Sequence, residues 1–271
     1  MKKISRRSFM AAAAVSVAAL ALTACGGSAS SAASSEAVSS AAAAELTTVE
    51  AGKLTMATNA AFPPYEMTTD AGEFEGIDVD TAKAIAEKLG LELQIDDMDF
   101  DAALLSVQQG KADIVMAGVT VTDERKAVMD FSDSYATGIQ VVIVPEGSDV
   151  TLDNLGEQLI GTQRATTGNI YCTDDYGEDH VIAYDDGIVA VQDLLNGKVD
   201  AVVIDKAPAQ EFVSANPGLV ILDTEYANED YAIGVAKGNT ALVDAVNGAL
   251  AELTADGTIQ SIIEKYIPAE G

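Results

Sequence analysis

Arg125 is the residue whose position in the sequence points most directly to binding chemistry. Thr122 is a good N-cap residue and is followed by the acids Asp123 and Glu124, so a helix is predicted to begin here. Arg125 then lies in the first turn, where a cation opposes the helix dipole. A bound anion resolves this conflict, because free helix N–H groups and a guanidinium group hold it together. The pattern predicts an anion site; an exposed arginine paired with a neighbouring acid is the alternative.

A second helix start with hydroxyl side chains lies further along the chain. Residues 165–169 read Ala-Thr-Thr-Gly-Asn and follow a predicted strand at Glu157–Thr162. Threonine is a favourable capping residue, so the pattern predicts a second helix N-terminus. By itself this pattern does not specify a ligand.

An internal repeat relates two parts of the chain. Residues 103–115 and 190–202 both read as a helix, a glycine, a Lys-x-Asp triplet and an apolar strand. The two strands would end at Ala117–Thr120 and at Ile204–Asp205. Ligands of open α/β sheets bind beyond the carboxyl ends of the strands. The repeat therefore predicts two related lobes with one cleft between them; chance similarity of a common helix–strand unit is the alternative.

The elements that must position these groups alternate between strands and helices. A buried strand comes first, and then an amphipathic helix with apolar residues every three or four positions, which Gly90 ends. This alternation is typical of a mostly parallel α/β sheet. The predicted elements are a strand at Lys53–Thr58, the helix around Ala82–Leu89, a strand at Leu91–Ile95, a helix at Asp101–Gln109 and a strand at Ala112–Ala117.

Composition argues against several classes of function. The 271 residues include 43 Asp and Glu against 15 Lys and Arg, a formal net charge of -28. A nucleic-acid surface or a basic membrane-binding face needs clustered Lys and Arg, so neither is expected. His180 is the only histidine, which removes most zinc sites and Ser/His/Asp chemistry. Residues 97–108 lack the Gly and Glu of a calcium loop, and no glycine-rich nucleotide motif occurs. No metal or cofactor is expected.

The first 24 residues have the composition of an export signal. A basic start is followed by an apolar run at Phe9–Ala24, which is short for a membrane-spanning helix. The run ends in Leu-Thr-Ala before Cys25 and matches a bacterial lipobox, in which the cysteine is lipidated; an ordinary signal peptide with a chance cysteine is the alternative. Residues 5–9 also resemble a twin-arginine signal, and a merely basic start is the alternative there.

Residues 25–48, with the lipidated cysteine, are rich in Ser and Ala and predict a flexible tether. We therefore expect an extracytoplasmic protein that is anchored to the cell membrane through its N-terminal lipid only.

Several ordered segments of the remaining chain carry a family resemblance. They are Ala57–Tyr65, Gly76–Asp80, Met98–Asp101, Ala117–Arg125, Asp130–Ser132, Thr166–Gly168, Asp200–Asp205 and Ala255–Thr258. From Lys53 to Tyr266 the chain resembles the family 3 extracellular solute-binding proteins of polar amino-acid ABC transporters, and it is similar to the glutamine-binding and lysine/arginine/ornithine-binding proteins.

The resemblance implies a two-lobed α/β fold of the periplasmic-binding-protein-like type II, with the ligand in the interlobe cleft. Residues 49–139 and 231–271 would form the first lobe and residues 140–230 the second. Two hinge crossings are expected, near 138–142 and 229–234.

The resemblance also assigns contacts to the two charged ends of an amino-acid ligand. Arg125 would clamp the α-carboxylate together with Thr120 and Thr167. The carbonyl of Gly118 and the carboxylate of Asp205 would bind the α-ammonium group.

Contacts to the ligand side chain follow from the same resemblance. Phe62 and Phe100 would enclose the side-chain stem. Arg164 stands where glutamine-binding relatives place a lysine that faces the side-chain carbonyl. Asn59 stands where binders of basic amino acids carry an acid. Arg164 and Asn59 together favour glutamine or glutamate over lysine, arginine or apolar ligands.

The implied function is that of a substrate-binding lipoprotein of an amino-acid ABC importer, not an enzyme. It would act as a monomer with a free amino acid and an ABC permease as partners. Two alternatives stay open. One is an enzyme on the same fold, such as a cyclohexadienyl dehydratase with a cleft acid as general acid, which product formation from prephenate would reveal. The other is a sensory lipoprotein without a transporter, which a neighbouring permease gene would argue against.

Overall fold

The computed structural model describes residues 46–223 and 225–267, so the predicted signal peptide and Cys25 lie outside the described residues. The strands are β1 Lys53–Thr58, β2 Ala61–Phe62, β3 Glu66–Thr68, β4 Phe74–Glu75, β5 Glu92–Asp97, β6 Ile114–Val115, β7 Met129–Pro145, β8 Ile160–Gln163, β9 Val181–Tyr184, β10 Ala201–Asp205, β11 Leu219–Ile221 and β12 Ala227–Ala236. The helices are α1 Ile77–Leu89, α2 Phe100–Gln108, α3 Asp123–Val128, α4 Thr167–Tyr176, α5 Gly187–Leu195, α6 Lys206–Ala215, α7 Thr240–Ala255 and α8 Thr258–Tyr266.

A curled sheet of nine described strands organises the fold. Its order is β5-β1-β6-β12-β7-β10-β8-β9, with β11 also paired to β7. β1 pairs in parallel with β5 and β6, and β8 pairs in parallel with β9 and β10. Between these parallel halves, β7 and β12 pair with each other and with their outer neighbours in the antiparallel sense. The predicted parallel sheet is therefore present in two halves, which an antiparallel pair joins.

The two parallel halves are the sheets of two α/β lobes, as the resemblance predicted. The first lobe contains β1, β5 and β6 with α1, α2, α3, α7 and α8, and the second contains β8, β9 and β10 with α4, α5 and α6. The long strands β7 and β12 run from one lobe to the other. The segments predicted for the crossings begin within β7 at Gly138 and within β12 at Glu229, and these two residues are paired. The residue limits given above for the lobes stay a prediction.

Each lobe has its own buried side chains. In the first lobe, α1 and α7 place Ala82, Ile85, Val246 and Leu250 against β1 and β6. In the second, aliphatic side chains of β7, β8 and β10 pack with Leu155. Full burial of such a side chain stabilises the fold by about 1.5–3 kcal/mol relative to exposure. The helices are therefore fixed to the sheets by apolar packing, and the polar strand ends are left to line a cleft.

Most predicted elements of the first lobe are confirmed, and one is shorter. β1 has the predicted bounds, and α1 ends at Gly90 in the left-handed conformation with φ 68°. Only Ile114 and Val115 of the predicted strand 112–117 form regular pairs. Beside this pair the contacts to β1 are irregular: the Asp113 N–H donates to the Thr55 carbonyl at 2.9 Å, while the Asp113 carboxylate accepts hydrogen bonds from the N–H groups of Val49 and Thr55, both at 2.7 Å.

The helix, glycine and strand order of the internal repeat is confirmed. Gly110 follows α2 with φ 66°, and Gly197 follows α5 with φ 68°. β6 and β10 come next, one in each lobe. In the part of the chain that the structure describes, none of the helices is long and apolar enough to cross a bilayer.

Candidate functional site

The carboxyl ends of four parallel strands meet at one cavity between the lobes. β1 leads to Asn59 and β6 leads to Gly118 in the first lobe, whereas β8 ends at Gln163 and β10 ends at Asp205 in the second. The cavity is narrow in this structure, with about 10 Å³ of room for the centres of water-sized molecules. Its position agrees with the rule that ligands of α/β sheets bind beyond the carboxyl ends of strands. The lining residues are Asn59, Phe62, Glu66, Phe100, Ala117, Gly118, Thr120, Arg125, Gln163, Thr166, Thr167 and Asp205.

All but one of the residues predicted to contact a ligand line this cavity. They are Asn59, Phe62, Phe100, Gly118, Thr120, Arg125, Thr167 and Asp205. Arg164 is the exception. Its side chain is 49% exposed and pairs with Asp185 at 2.9 Å, on the second lobe and away from the cavity lining. Successive side chains of a strand point to opposite faces, so the buried Gln163 at the end of β8 faces the cavity and Arg164 does not. Arg164 was predicted to face the ligand, but the structure places its neighbour Gln163 in the cavity lining instead.

Arg125 is held at the cavity by both lobes. Thr122 is the N-cap of α3 and accepts a hydrogen bond from the Arg125 N–H at 3.1 Å, as predicted. The guanidinium group donates from Nη1 to the Thr120 carbonyl at 2.8 Å and from Nη2 to the Ala165 carbonyl at 3.0 Å. Its Cζ lies 5.3 Å from the centre of the Phe100 ring, within range of a cation–π interaction. The side chain is only 8% exposed, so the alternative of an exposed arginine is wrong.

Hydroxyl groups from the two lobes meet beside Arg125. Thr166 is the N-cap of α4 and accepts a hydrogen bond from the Asn169 N–H at 3.2 Å, which confirms the second helix start. Thr167 follows in the first turn, and its Oγ1 lies 3.4 Å from Oγ1 of Thr120. Arginine has five N–H donors, of which the two carbonyls use two. The remaining guanidinium N–H groups and the Thr167 hydroxyl therefore provide donors for one anion at this end of the cavity, whereas the Thr120 hydroxyl donates to Glu229.

Two buried carboxylates lie near the same guanidinium group. Asp205 accepts a hydrogen bond from the Tyr231 hydroxyl of β12. Oε2 of Glu229, also on β12, accepts hydrogen bonds from Thr120 Oγ1 and Gln140 Nε2, both at 3.0 Å. Burial, followed by the negative charge of Glu229, raises the pKa of Asp205 well above its ordinary value, and the Gln140 hydrogen bond and Arg125 oppose this shift. Arg125 alone does not fully compensate these two acids, so a ligand ammonium group has a favourable place here.

Glu66, on β3, adds a third acid to the cavity wall. It is fully buried, and among the described residues neither of its carboxylate oxygens accepts a hydrogen bond. Burial and the nearby carboxylates of Asp78, Asp205 and Asp97 raise the pKa of Glu66 well above its ordinary value. A buried polar group without a partner is costly, so Glu66 marks a position where a ligand group that donates hydrogen bonds is favoured.

Amide side chains connect the lobes at the same cavity. Gln163 Nε2 donates to Asn59 Oδ1 at 2.9 Å, and Asn59 Nδ2 donates to Asp186 Oδ1 at 3.2 Å. Asn59 belongs to the first lobe, and Gln163 and Asp186 belong to the second. Asn59 therefore contributes to an interlobe contact as well as to the cavity wall.

Gly118 lies where only glycine fits. Its φ of 54° is in the left-handed region, and a Cβ there would lie 2.9 Å from Cε1 of Phe62. The Gly118 N–H donates to Asp78 Oδ2 at 2.9 Å, which fixes the orientation of the peptide group at the cavity wall. Any larger residue would displace the Phe62 ring.

The prediction from sequence missed Glu66, Gln163 and Glu229. A signal existed for two of them. Glu66 directly follows the Phe-Pro-Pro-Tyr run of the resemblance, and Gln163 stands one residue past the predicted strand, where the strand-end rule applies. Glu229 lies on β12 and contacts the cavity-lining Thr120. No pattern in the sequence marks this contact, because it forms only when β12 pairs with β7. Across the described part of the chain, no group of His, Cys, Asp and Glu residues is arranged to hold a metal ion.

The fold and site define a class of protein: a two-lobed α/β receptor with two hinge strands and a polar cleft for a small ligand. The chain belongs to the bacterial extracellular solute-binding proteins, family 3, whose family model matches residues 54–269. It is 34% identical over 268 residues to the probable histidine-binding protein of Neisseria gonorrhoeae, covering 96% of each chain.

Solved structures agree with this assignment. The arginine-, lysine-, histidine-binding protein ArtJ of the thermophilic bacterium Geobacillus stearothermophilus matches with a TM-score of 0.77 and 34% identity, covering 81% of this chain and 96% of ArtJ. An ancestral arginine-binding protein bound to glutamine matches with a TM-score of 0.76 and 39% identity, covering 80% of this chain and 98% of the other. The chain is thus an amino-acid-binding protein of a family that serves ABC transport.

Proposed function

We propose that the protein is the substrate-binding lipoprotein of an amino-acid ABC importer, which closes its lobes on a polar amino acid and delivers it to a permease. The observation that carries this proposal is the convergence of one buried guanidinium group, Arg125, and the buried carboxylate of Asp205 on one interlobe cavity. An amino acid carries one charge of each sign at its α-carbon. The cavity therefore offers a counter-charge for each.

The two charged ends of the ligand would be bound by groups from both lobes. Arg125 and the Thr167 hydroxyl bind the α-carboxylate, since a guanidinium forks onto a carboxylate through two parallel hydrogen bonds. The Thr120 hydroxyl would join them by turning from Glu229 to the ligand. Asp205 and the Gly118 carbonyl bind the α-ammonium group. Burying a charge without a partner costs several kcal/mol, so a ligand that lacks either end binds poorly.

Aromatic rings are available for the ligand side-chain stem. Phe62 is 6% exposed and Phe100 is 5% exposed, and both line the cavity. Flat apolar faces on two sides of a narrow cavity bury methylene groups, each for about 0.8 kcal/mol. The rings add affinity for a side chain with an aliphatic stem and leave its polar end to other groups.

The polar end of the ligand side chain would face Glu66, Asn59 and Gln163. The earlier preference for glutamine or glutamate depended on Arg164 and Asn59. Because Arg164 pairs with Asp185 outside the cavity lining, no arginine is left there for a glutamate side chain. Glu66 would repel that side chain. We therefore retain glutamine, add basic amino acids as ligands and place glutamate last.

Charge around the cavity supports basic ligands. The buried acids Asp205 and Glu229 lie close to the buried cation Arg125, and of two further buried acids, Glu66 lies near Asp205 and Asp78 lies near Glu66. A zwitterion leaves this excess of negative charge unchanged, whereas arginine, lysine or protonated histidine reduces it. The similar proteins named above include binders of arginine, lysine and histidine and one structure with bound glutamine.

Calorimetry with individual amino acids tests the ligand assignment. Protein that has been unfolded and refolded to remove any bound ligand would be titrated with arginine, lysine, histidine, glutamine and glutamate. We expect arginine and glutamine to bind with dissociation constants on the order of micromolar, which corresponds to about 8 kcal/mol. We expect glutamate to bind at least about tenfold weaker than glutamine, a difference of about 1.4 kcal/mol. Tightest binding of glutamate would refute the side-chain assignment, and binding of no amino acid would refute the function.

Closure follows from how the contacts are divided between the lobes. Thr120, Gly118 and Arg125 belong to the first lobe, and Thr167 and Asp205 to the second, so a ligand that touches all five stabilises the closed arrangement. Small-angle scattering should show a smaller radius of gyration with saturating ligand than without. An unchanged radius would contradict hinge closure.

Anchoring is proposed from the sequence, since Cys25 lies outside the described residues. Lipidation of Cys25 would leave the Ser- and Ala-rich tether between the membrane and a monomeric receptor. Cys25→Ala should keep the precursor uncleaved by the lipoprotein signal peptidase and move the mature protein out of the detergent phase. If the variant partitions into detergent as the unchanged protein does, the lipid anchor is refuted.

A further inference from the structure

Two buried carboxyl groups lie side by side at the polar end of the cavity. The Asp78 N–H donates to the Tyr65 carbonyl at 2.9 Å and the Ile77 N–H donates to the Pro64 carbonyl at 3.0 Å. These bonds fasten the start of α1 beside the start of β3. Asp78, on α1, and Glu66, on β3, are both fully buried.

The two carboxyl groups differ in their hydrogen bonds. Both oxygens of Asp78 have donors: the Tyr135 hydroxyl lies 2.7 Å from Oδ1 and the Gly118 N–H lies 2.9 Å from Oδ2. Neither oxygen of Glu66 has a donor within the described residues. The bond from the Asp78 N–H to the Tyr65 carbonyl places Asp78 beside the residue that precedes Glu66, so the two buried carboxyl groups are neighbours, and each affects the pKa of the other. Two adjacent carboxylates cannot both be ionised in a dry site without strong repulsion.

We propose that Glu66 and Asp78 share one proton in the unliganded protein and that a basic ligand side chain displaces it, whereas a neutral side chain leaves it in place. The displaced proton goes to the solvent, so the buried charge stays nearly constant for either ligand. Glu66 and Asp78 thereby act as a specificity-determining pair that adapts one cleft to two classes of amino acid. This inference rests on the proposed function, because it needs an amino acid whose side chain points toward Glu66.

The surroundings of the pair favour a retained proton. The titratable groups that act on the pair are Asp97, Asp205, Tyr65 and Tyr135, and the cation Arg125, which lines the same cavity as Glu66, acts on Asp205 and Glu229. Burial raises the pKa of Asp78 to about 6, although the hydrogen bonds from Gly118 and Tyr135 oppose this shift. Burial and the adjacent Asp78 raise the pKa of Glu66 in the same direction. A basic ligand side chain would bring a further cation to the cavity wall that contains Glu66.

Proton counting by calorimetry tests the inference on the unchanged protein. L-arginine and L-glutamine would each be titrated at about pH 6 in two buffers with different ionisation enthalpies, and the difference in heat gives the number of protons released. Asp205 meets the α-ammonium group of either ligand, so any proton that it loses cancels between the two amino acids. We expect arginine to release about one proton more than glutamine. Between about pH 5 and about pH 7, the ratio of arginine affinity to glutamine affinity should rise by up to about tenfold per pH unit.

A substitution of Glu66 and a matched control locate the proton. Glu66→Gln keeps the size of the side chain but removes one acid of the pair, so the excess proton release with arginine should disappear. Glu87→Gln makes the same chemical change on the exposed face of α1 and should retain it. Equal proton release with arginine and glutamine in the unchanged protein, or an excess that survives Glu66→Gln, would overturn the inference and leave the proposed function standing. Binding of neither amino acid would remove both.

Discussion

Replacement of Arg125 by alanine removes the proposed partner of the ligand carboxylate. The side chain is 8% exposed, and its guanidinium group donates hydrogen bonds to carbonyls of different lobes, Thr120 at 2.8 Å and Ala165 at 3.0 Å. In the ligand-bound state, its loss leaves the carboxylate buried without a counter-charge. Breaking such a buried pair costs about 3–5 kcal/mol. Since about 1.4 kcal/mol is a factor of ten, the dissociation constant should rise by about 100-fold to about 4000-fold.

Two further variants serve as controls. One keeps the positive charge at position 125 but changes its geometry, and the other removes a different arginine. Arg125→Lys keeps the charge but cannot fork onto a carboxylate, so it should recover little of the lost affinity. Arg164→Ala removes the other arginine that follows the predicted signal peptide. Its 49% exposed side chain pairs with Asp185, and such surface pairs contribute about 0–1 kcal/mol to stability. Arg164→Ala should change the dissociation constant of the ligand by less than about threefold, which is well below the tenfold change that about 1.4 kcal/mol represents.

The assay is calorimetric titration with L-arginine and L-glutamine, after thermal unfolding has shown that each variant is folded. Some loss of stability is expected in Arg125→Ala, because the Thr120 and Ala165 carbonyls lose their donor, at about 1–3 kcal/mol for each buried group left unsatisfied. Near-native affinity of folded Arg125→Ala for both amino acids would refute the carboxylate assignment. A larger effect of Arg164→Ala than of Arg125→Ala would refute the placement of the two arginines.

Three other changes test neighbouring parts of the account. Asp205→Asn keeps the size of the side chain but removes the charge opposite the α-ammonium group. The affinity for L-arginine and L-glutamine should therefore fall at least about tenfold. Unchanged affinity in calorimetry would contradict this assignment. In Gly138→Ala a Cβ would overlap the Tyr231 hydroxyl, so urea unfolding should show a loss of about 1–3 kcal/mol in the free energy of unfolding. The control Gly248→Ala places its Cβ in open space on α7 and should be neutral or stabilising. Burial raises the pKa of Asp78 to about 6 from 3.8, so the native state binds more protons than the unfolded state. The protonated Asp78 therefore stabilises the fold by up to about 3 kcal/mol below about pH 4. This stabilisation is lost as the pH rises through about 6. A pH series of urea unfolding with and without Asp78→Asn measures this difference, and identical pH slopes would contradict it.

Local patterns were sufficient to predict many of the elements and several site residues. β1 was predicted from its apolar run, and the start of α3 from Thr122 and its acids, because capping and periodicity act over a few residues. Arg125 was nominated for the same reason: a cation in a first helix turn conflicts with the dipole, and that conflict is visible in the sequence.

Residues that depend on tertiary structure were harder to predict. β7 is 17 residues long because it serves both lobes, and no local pattern marks that length. Glu229 contacts Thr120, and Tyr231 contacts Asp205, only because β12 crosses between the lobes beside β7. Arg164 was expected at the cavity from a sequence resemblance, which does not show on which face a side chain lies; the structure pairs it with Asp185, and its neighbour Gln163 lines the cavity. Glu66 was overlooked because its burial, not its residue type, makes it unusual.

The central claim is that the cleft recognises the α-carboxylate of an amino acid through Arg125. The most direct measurement is a calorimetric comparison of L-arginine with L-argininamide, which keeps the side chain and the α-ammonium group but lacks the carboxylate charge. We expect the amide to bind the unchanged protein at least about 100-fold more weakly than arginine, a difference of about 3 kcal/mol in binding free energy. We also expect Arg125→Ala to bind the two compounds with nearly equal affinity. Equal affinity of the unchanged protein for arginine and its amide, or an undiminished preference for arginine in Arg125→Ala, would contradict the claim.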